Sequence, residues 1–387
     1  MFAVGWGANQ FSPMLIVYRH ELGLAPGAID GLFAIYAATL IPGLLIGGPA
    51  SDRFGRRAVV LPFAALSPVA TLLLVLGAHS LPLLAVGRAL AGLCSGMVFG
   101  PATAWVQDLS PGDALSARRS ALALSAGFGL GPVAAAVLAQ WAAHPLVVPY
   151  LPHLVIGTAA LAVGLTAPAP RRRPGVTRSG WPPAAVRTRR FWLTIAPAAP
   201  FVFGAISLAI VVLPEEVTGA HTLSAGYAGL MTVLGFAAGI GVQPAARRLA
   251  ARRPQAGAIA GVAAAAIGAA VGVPAVASAN RVLAGVAAVF LGLAYGLCLV
   301  SGLRQTEHLA GDRDRGAVLA CYYVLAYLGF VMPYIVDGLN GALGAPGTFA
   351  ALAGVAAAVT AWLGWQARRA AGAPADESAA AEQSIAA

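Results

Sequence analysis

GGPASDRFGRR, residues 47–57, is the stretch that decides the fold of this chain. It joins two long apolar segments and places an acid, flanked by glycines, beside three arginines. A glycine lets two backbones approach closely, and an acid followed by arginines at a membrane edge can form switchable ion pairs. A basic anchoring turn would explain the arginines alone, but not the acid at these intervals. The pattern is carried by Gly48, Asp52, Arg53, Gly55, Arg56 and Arg57.

The chain around this stretch has the composition of a membrane protein. Of its 387 residues, 59% are hydrophobic and 10% are charged, whereas soluble domains carry about 25% charged residues. Apolar character continues from Phe2 to Trp365 with short interruptions. The first apolar stretch begins at Met1 without a basic leader, so we expect a retained first helix and no cleavable signal peptide.

Apolar segments of spanning length recur on both sides of a basic break. The first six cover residues 2–19, 27–50, 58–78, 81–106, 116–140 and 147–167, and the second six cover 191–213, 223–246, 256–277, 281–303, 316–338 and 345–366. The sequence therefore predicts an all-α membrane protein with twelve transmembrane helices in two pseudo-symmetric six-helix bundles. The predicted units are an N-terminal bundle (1–167), a basic cytoplasmic linker (168–190), a C-terminal bundle (191–369) and a disordered cytoplasmic tail (370–387).

The basic residues indicate topology and not nucleic acid. The net charge is +10, and all 24 basic residues are arginines that cluster between apolar segments and are not interleaved with exposed aromatics. With a cytoplasmic amino terminus, every arginine except Arg19, Arg88 and Arg281 falls on the cytoplasmic side. We expect a multi-pass protein of the cell membrane with both termini inside. The lysine-free, Ala- and Gly-rich composition suggests a bacterial source.

The two halves repeat each other, which is typical of transporters built from two bundles. Several positions recur at a fixed offset. The pairs 195 residues apart are Glu21 and Glu216, Gly31 and Gly226, and Pro49 and Pro244; those 200 apart are Gly92 and Gly292, Gly96 and Gly296, and Leu109 and Leu309.

The stretch at residues 47–57 resembles the signature loop of the major facilitator superfamily at every marked position. The resemblance implies a secondary transporter whose two bundles rock about a central cavity. It also implies that Asp52 faces the start of the eleventh helix, where backbone N–H groups favour negative charge, and that Arg56 pairs with Asp108. In the second half, GVQPAARRLAARR has Arg247 where the acid would stand, so we expect an asymmetric cytoplasmic gate.

RALAGLCSG, residues 88–96, resembles the fourth-helix motif of this superfamily, whose arginine is linked to proton transfer or to anionic groups in the cavity. An arginine at membrane depth costs about 2.5 to 3.5 kcal/mol and must face protein or water. Arg88 is therefore a cavity candidate, with a snorkelling side chain as the alternative. Gly92 and Gly96 place small residues on one helical face for close packing.

Further candidates lie on helices that line the cavity in this superfamily. Asn9 and Gln10 in the first span could bind substrate or form interhelical hydrogen bonds. Four tyrosines are weaker candidates, since packing tyrosines are the usual case: Tyr36, Tyr295, Tyr323 and Tyr327. His153 could titrate, but a packing histidine is the expected reading.

In the fifth span, Gly127, Gly131 and Pro132 form a GxxxGP element that allows tight packing and a kink. It resembles part of a motif associated with exporters, although Arg118 replaces one expected glycine. The sequence thus favours proton-coupled efflux of a small, partly apolar compound. Uptake of a sugar, organic acid or amino acid by the same fold stays open, as does a non-transporting sensor.

Other chemistries find no support in the sequence. The acids lie near predicted helix ends, so proton coupling is an expectation from the resemblance and has no assigned carrier. Three separate cysteines suggest neither a disulfide framework nor a metal site, and a phosphate-binding GxxxxGK loop is impossible without lysine. We expect no enzyme activity, no metal and no cofactor. The expected partners are the lipid bilayer, a small-molecule substrate and protons, with no nucleic acid, and the expected state is a monomer.

Overall fold

The computed structural model describes residues 1–24, 26–110, 113–168, 182–219, 225–253, 255–310 and 315–372. Within these ranges every regular element is a helix. Most of the predicted linker (169–181) and tail (373–387) lies outside the described residues, and so do the residues that precede the eleventh span (311–314).

The described helices form twelve spans, and ten continuous helical stretches among them are long and apolar enough to cross a membrane. Span 1 is not one of the ten because it consists of two short helices, Phe2–Asn9 and Phe11–Leu22. The stretch Ala317–Arg369 holds two spans, because the backbone turns at Gly344 with φ +67°. The fold is the predicted twelve-helix architecture of two six-helix bundles.

The remaining spans follow in chain order. Spans 2 to 6 are Pro26–Phe54, Arg56–Leu76, Leu81–Asp108, Asp113–Trp141 and Leu151–Thr166. Span 7 runs over Phe191–Thr218, span 8 over Ala225–Gly241 and Gln243–Arg252, span 9 over Ala256–Ala277, and span 10 over Arg281–Leu309. Span 11 comprises Arg315–Tyr327, Leu328–Val331 and residues 332–343, and span 12 comprises residues 345–372.

Some spans depart from regular α-helix. In span 1, Pro13 has no N–H to donate to the carbonyl of Asn9, which fits the interruption at Gln10. Span 7 contains two π-helical segments, Phe191–Ile195 and Leu208–Val212. Span 11 contains the 3₁₀ segment Leu328–Val331. Such irregular turns are common where a helix serves a function.

Within each half, glycines bring two helices into backbone contact. A Cβ on Gly96 in span 4 would lie 2.7 Å from the backbone nitrogen of Leu44 in span 2. The equivalent Gly296 in span 10 would meet the backbone of Gly239 in span 8. These positions therefore exclude any side chain, and the same glycine-based packing occurs in both halves.

The two halves share one core. Span 2 packs against span 11, and span 5 packs against span 8. A continuous cluster of buried side chains runs across these contacts from the N-terminal half into the C-terminal half. A molecule that crossed the membrane between the two halves would therefore have to pass through this shared core.

Candidate substrate path and gate

We call the end of the molecule that holds residues 47–57 the motif face, and the other end the opposite face. At the motif face, Arg56 is the centre of a polar group. Its guanidinium contacts the carboxylate of Asp52, donates to Ser51 Oγ at 2.8 Å and lies 3.5 Å from Asp108 Oδ2. The structure thus places the expected pair of Arg56 and Asp108 in contact, at the ends of spans 3 and 4.

Arg57 makes a contact that the sequence did not predict. Its guanidinium donates to the carbonyl oxygens of Leu165 at 2.6 Å and Ala167 at 3.1 Å. These are terminal carbonyls of span 6, which have no partner within their own helix. Arg57 therefore ties the loop to the end of span 6, a role invisible to local spacing because the partners are more than a hundred residues away.

The loop's glycines and its remaining arginine have separate surroundings. Gly55 has φ +98°, a conformation that side-chain-bearing residues rarely adopt. Gly48 accepts a hydrogen bond from Ser51 Oγ at 2.8 Å. Arg53 is exposed and lies over the ring of Phe54. The expected contact of Asp52 with the start of span 11 concerns residues outside the described ranges.

A hydrogen bond joins the two halves at the motif face. Gln107 Nε2 in span 4 donates to Glu307 Oε1 in span 10 over 3.0 Å. The two residues are 200 positions apart, which is the offset of the internal repeat. Sequence reasoning missed this contact, yet the repeat contained a signal: polar residues at equivalent positions can meet across a pseudo-two-fold axis.

Aromatic rings fill the interface between the halves from the middle of the spans toward the opposite face. Ring pairs across the interface are Phe128 with Phe203 at 5.9 Å, Phe99 with Tyr327 at 6.5 Å, and Phe33 with Phe330 at 5.7 Å between centroids. We call these six residues the aromatic plug. Such ring pairs bury large apolar areas at favourable offset or edge geometry, so the plug closes the path.

Polar contacts reinforce the closure beside the plug. The hydroxyls of Ser125 in span 5 and Tyr295 in span 10 lie 3.2 Å apart. Gln243 Nε2, at the start of the second helix of span 8, donates to Ser125 Oγ over 3.1 Å. All three side chains are fully or almost fully buried. Together with Gln107 and Glu307, they hold the motif-face side of the interface shut.

A cleft lies between the halves on the other side of the plug. Phe33 both lines the cleft and contacts Phe330, so the plug forms its floor. Most of its wall is apolar. The lining residues are Ser12, Pro13, Leu15, Ile16, Arg19 and Phe33 from the N-terminal half, and Ile210, Val211, Glu215, Ala228, Thr232, Pro333 and Tyr334 from the C-terminal half.

An ion pair crosses this cleft near the opposite face. Arg19 Nη1, near the end of span 1, lies 2.9 Å from Glu215 Oε1, near the end of span 7. Both residues were expected near helix ends, but their pairing was not predictable because they belong to different halves. Both side chains are partly exposed.

Arg88 does not snorkel, which corrects that alternative. Its side chain is 2% exposed and lies within the N-terminal bundle. Nε donates to the carbonyl of Leu32 and Nη1 to that of Ala8, each at 3.2 Å. The guanidinium also lies 4.2 Å from the ring centroid of Phe11 and 4.4 Å from that of Tyr36. Carbonyl dipoles and ring faces thus solvate the charge, and the group holds spans 1, 2 and 4 together.

The amides of span 1 also face their own bundle. Gln10 Nε2 donates to Thr71 Oγ1 at 3.1 Å, and Thr71 Oγ1 lies 2.7 Å from His153 Nδ1. Asn9 Nδ2 reaches the carbonyl of Gly5 in the same helix at 3.3 Å. For Gln10 this is the interhelical hydrogen bonding kept as the alternative to substrate binding, whereas Asn9 bonds within its own helix. His153 is a buried residue of the same group.

The structure does not bring the seven cavity candidates together. Tyr36 lies beneath Arg88, whereas Tyr295 and Tyr327 lie in or beside the aromatic plug and Tyr323 packs next to Tyr327. None of the seven is among the residues that line the cleft. Their roles toward substrate stay predictions. In the part of the chain that the structure describes, no group of three or more His, Cys, Asp or Glu residues could hold a metal ion.

The glycines of span 5 lie against span 1. A Cβ on Gly131 would lie 2.7 Å from the carbonyl oxygen of Trp6, and one on Gly127 would overlap the backbone at Phe2. Pro132 is buried within the helix. The element therefore gives close packing between spans 1 and 5, while its role as a pivot stays a prediction.

Twelve spans in two halves with a cleft between them define a multi-pass membrane protein. A sequence profile of the Major Facilitator Superfamily matches residues 1–332, so the chain belongs to this family. This is a family of membrane transporters. Among individual proteins, it is 26% identical over 134 residues to the quinolone resistance protein NorA of Staphylococcus aureus. The matched part covers 34% of this chain and 34% of NorA, so the chain spans about a third of the length of the curated relatives it matches.

Solved structures match over most of the chain. The proton:xylose symporter XylE, bound to 6-bromo-6-deoxy-D-glucose, is similar with a TM-score of 0.70 and 14% identity, covering 94% of this chain and 93% of XylE. A crystal structure of a D-xylose–proton symporter gives a TM-score of 0.71 and 14% identity, covering 94% of each chain. At this identity the likeness shows the fold alone.

Proposed function

We propose that this chain exports small, partly apolar organic compounds by alternating access, in exchange for protons. The observation that carries the proposal is the cleft between the halves, whose wall is mostly apolar and whose floor is the aromatic plug. An apolar cavity with a few polar groups suits a compound of the same character. Eight of the thirteen lining residues are apolar, and the side chains that can form hydrogen bonds are Ser12, Arg19, Glu215, Thr232 and Tyr334.

The direction of transport has weaker, separate support. The partial match to NorA, a quinolone resistance protein, favours export, and so does the GxxxGP element of Gly127, Gly131 and Pro132. The proposal places the motif face in the cytoplasm of a bacterium, with both termini inside and a monomer as the working unit. Protons are the proposed coupling ion, and no carrier residue is assigned.

The proposed cytoplasmic gate has two layers. In the first, Asp52, Arg56 and Asp108 connect the ends of spans 2, 3 and 4, with Arg57 fixing the end of span 6. In the second, Gln107 and Glu307, the polar contacts of Ser125 and the aromatic plug join the halves. We propose that the units 1–167 and 191–369, linked by residues 168–190, separate at this face when the transporter turns inward.

The test is directional flux in membranes of known orientation. Everted vesicles from cells that express the chain would be energised with an inside-acid pH gradient, and uptake of a panel of amphipathic dyes and antibiotics would be followed. Export predicts gradient-dependent accumulation that collapses with a protonophore. Accumulation only in right-side-out vesicles would overturn export in favour of uptake.

A matched pair of variants tests the gate. Asp52→Asn removes the carboxylate that contacts Arg56, whereas Arg53→Gln changes the neighbouring exposed arginine, which lies over Phe54. We expect Asp52→Asn to slow accumulation severalfold and Arg53→Gln to change it little. Equal rates in wild type and Asp52→Asn would show that the assigned gate is wrong.

A further inference from the structure

We infer that Glu215 is a subsite for organic cations in the cleft, and that Arg19 occupies this subsite from the other half when no substrate is bound. The inference rests on the proposed transport function and adds the substrate class: a cation with an apolar body.

The charges around the cleft favour a cation. Glu215 lies close enough to Glu216 and Asp337 for the three carboxylates to repel one another. The cation in contact with Glu215 is Arg19. Arg281, another arginine of the opposite face, lies over the ring of Tyr227. Within the cleft lining Arg19 and Glu215 balance each other, so the further negative charge comes from Asp337 and from Glu216, which accepts a hydrogen bond from Asn340. Negative charge beside a partly desolvated cleft attracts cations and raises their local concentration.

The walls beside Glu215 favour an apolar, aromatic-compatible body. Ile210 and Val211 lie one turn or so before Glu215 on the same span, and Phe33 and Tyr334 present rings to the same cleft. Aromatic faces attract cations in addition to burying apolar surface. A carboxylate set among rings and aliphatic side chains is the recognition chemistry of a lipophilic cation.

Arg19 fits the role of a displaceable occupant. It makes a single contact with Glu215, from Nη1 to Oε1, and not the bidentate pair that an arginine and a carboxylate can form. Its Nε is buried without a hydrogen-bond partner in the part of the chain that the structure describes. The Glu215 side chain is 39% exposed, against 16% for Arg19. An incoming cation can therefore reach the carboxylate and replace an arginine that is only partly satisfied.

Displacement has a mechanical consequence, since the pair joins span 1 to span 7. A substrate cation that takes the place of Arg19 removes a tie between the halves at the opposite face. Substrate binding and the relative movement of the halves thereby become coupled, because the same carboxylate cannot hold both cations.

The test uses full-length protein in lipid nanodiscs and three probes of similar shape: tetraphenylphosphonium, tetraphenylborate and neutral triphenylphosphine oxide. Binding would be measured for wild type, Arg19→Gln, Glu215→Gln and the double variant. We expect Glu215→Gln to weaken tetraphenylphosphonium binding at least tenfold and Arg19→Gln to strengthen it about threefold or more. The double variant should behave like Glu215→Gln, and triphenylphosphine oxide should change less than twofold throughout.

Both single variants break the ion pair. If the pair only held the halves together, both would change tetraphenylphosphonium binding in the same direction, whereas a subsite at Glu215 predicts opposite changes. The inference falls if the two variants shift tetraphenylphosphonium binding in the same direction, or if the neutral probe shifts equally. If either variant fails to fold, binding of the two charged probes to the wild-type protein still tests the inference. Stronger binding of tetraphenylborate than of tetraphenylphosphonium overturns it. Export of neutral compounds in everted vesicles would then leave the proposed function intact, whereas absence of all export would refute that function separately.

Discussion

Replacing Gln107 with leucine should shift the protein toward a conformation that is open at the motif face. The variant loses the part-buried hydrogen bond of 3.0 Å to Glu307 that joins the two halves. A hydrogen bond to a charged group contributes about 1.5 to 3 kcal/mol, and partial exposure favours the lower value, about 1.5 kcal/mol. Because about 1.4 kcal/mol corresponds to a tenfold change, we expect the ratio of open to closed molecules to rise about tenfold.

Pulsed electron–electron resonance between two spin labels would measure this ratio. Ala58, near the start of span 3, and Ala245, in the second part of span 8, are exposed positions near the motif face of different halves. Both would be changed to cysteine and labelled after Cys94, Cys298 and Cys321 are replaced by alanine. The longer of the two distance populations should grow in Gln107→Leu.

Gln305→Leu is the matched control. Gln305 Nε2 donates to Ser301 Oγ at 3.0 Å within span 10, so this bond joins no two helices. The control should lose thermal stability without changing the distance populations. The reasoning is refuted if Gln107→Leu leaves the ratio within twofold of wild type, or if Gln305→Leu shifts it as much.

Three further predictions concern packing and the motif loop. Gly96→Ala should destabilise the protein by about 1 to 3 kcal/mol in thermal unfolding. Gly100→Ala, whose new methyl group meets no atom within 4 Å, should be neutral or stabilising. Equal melting temperatures of the two variants would contradict the close contact at Gly96. Arg56→Gln should lower initial transport rates more than Asp108→Asn does. The reason is that Asp108→Asn loses one exposed ion pair, which contributes about 0 to 1 kcal/mol. The reverse order of rates would count against Arg56 as the centre of the gate. Arg57→Ala should lower the free energy of unfolding by about 1 to 2 kcal/mol through two lost bonds to span 6, and unchanged denaturation would show that these bonds are not formed in the membrane.

The twelve spans were predictable because lipid imposes a simple requirement. A chain that crosses hydrocarbon must satisfy its backbone inside long apolar helices, and hydropathy records their positions. The interruption at Gln10 was not predicted, since it occurs inside a continuous apolar segment, whereas the turn at Gly344 falls between the predicted spans 316–338 and 345–366. Local backbone geometry of the kind seen at Gln10 leaves no trace in hydropathy.

The candidate site was only partly predictable for a different reason. The loop residues Asp52 and Arg56 lie close together in sequence, so spacing was informative. Arg19 and Glu215 are 196 residues apart, and their contact depends on how two bundles dock. For Arg88, the cost of burying a charge led to the correct expectation that its side chain faces protein or water and not lipid. That its surroundings are carbonyl groups and aromatic rings within one bundle, and not a cavity, could be seen only in the structure.

The π-helical segment Leu208–Val212 explains why Glu215 faces the other half at all. Phe203 and Glu215 are 12 residues apart in span 7, and in an unbroken α-helix they would point about 120° apart. One extra residue in a π turn removes about 100° of that difference. Both side chains then face the N-terminal half, as their contacts with Phe128 and Arg19 require. Deleting a single residue between 208 and 212 would rotate the carboxylate away from the cleft, so the length of this segment is under a constraint that its apolar composition does not reveal.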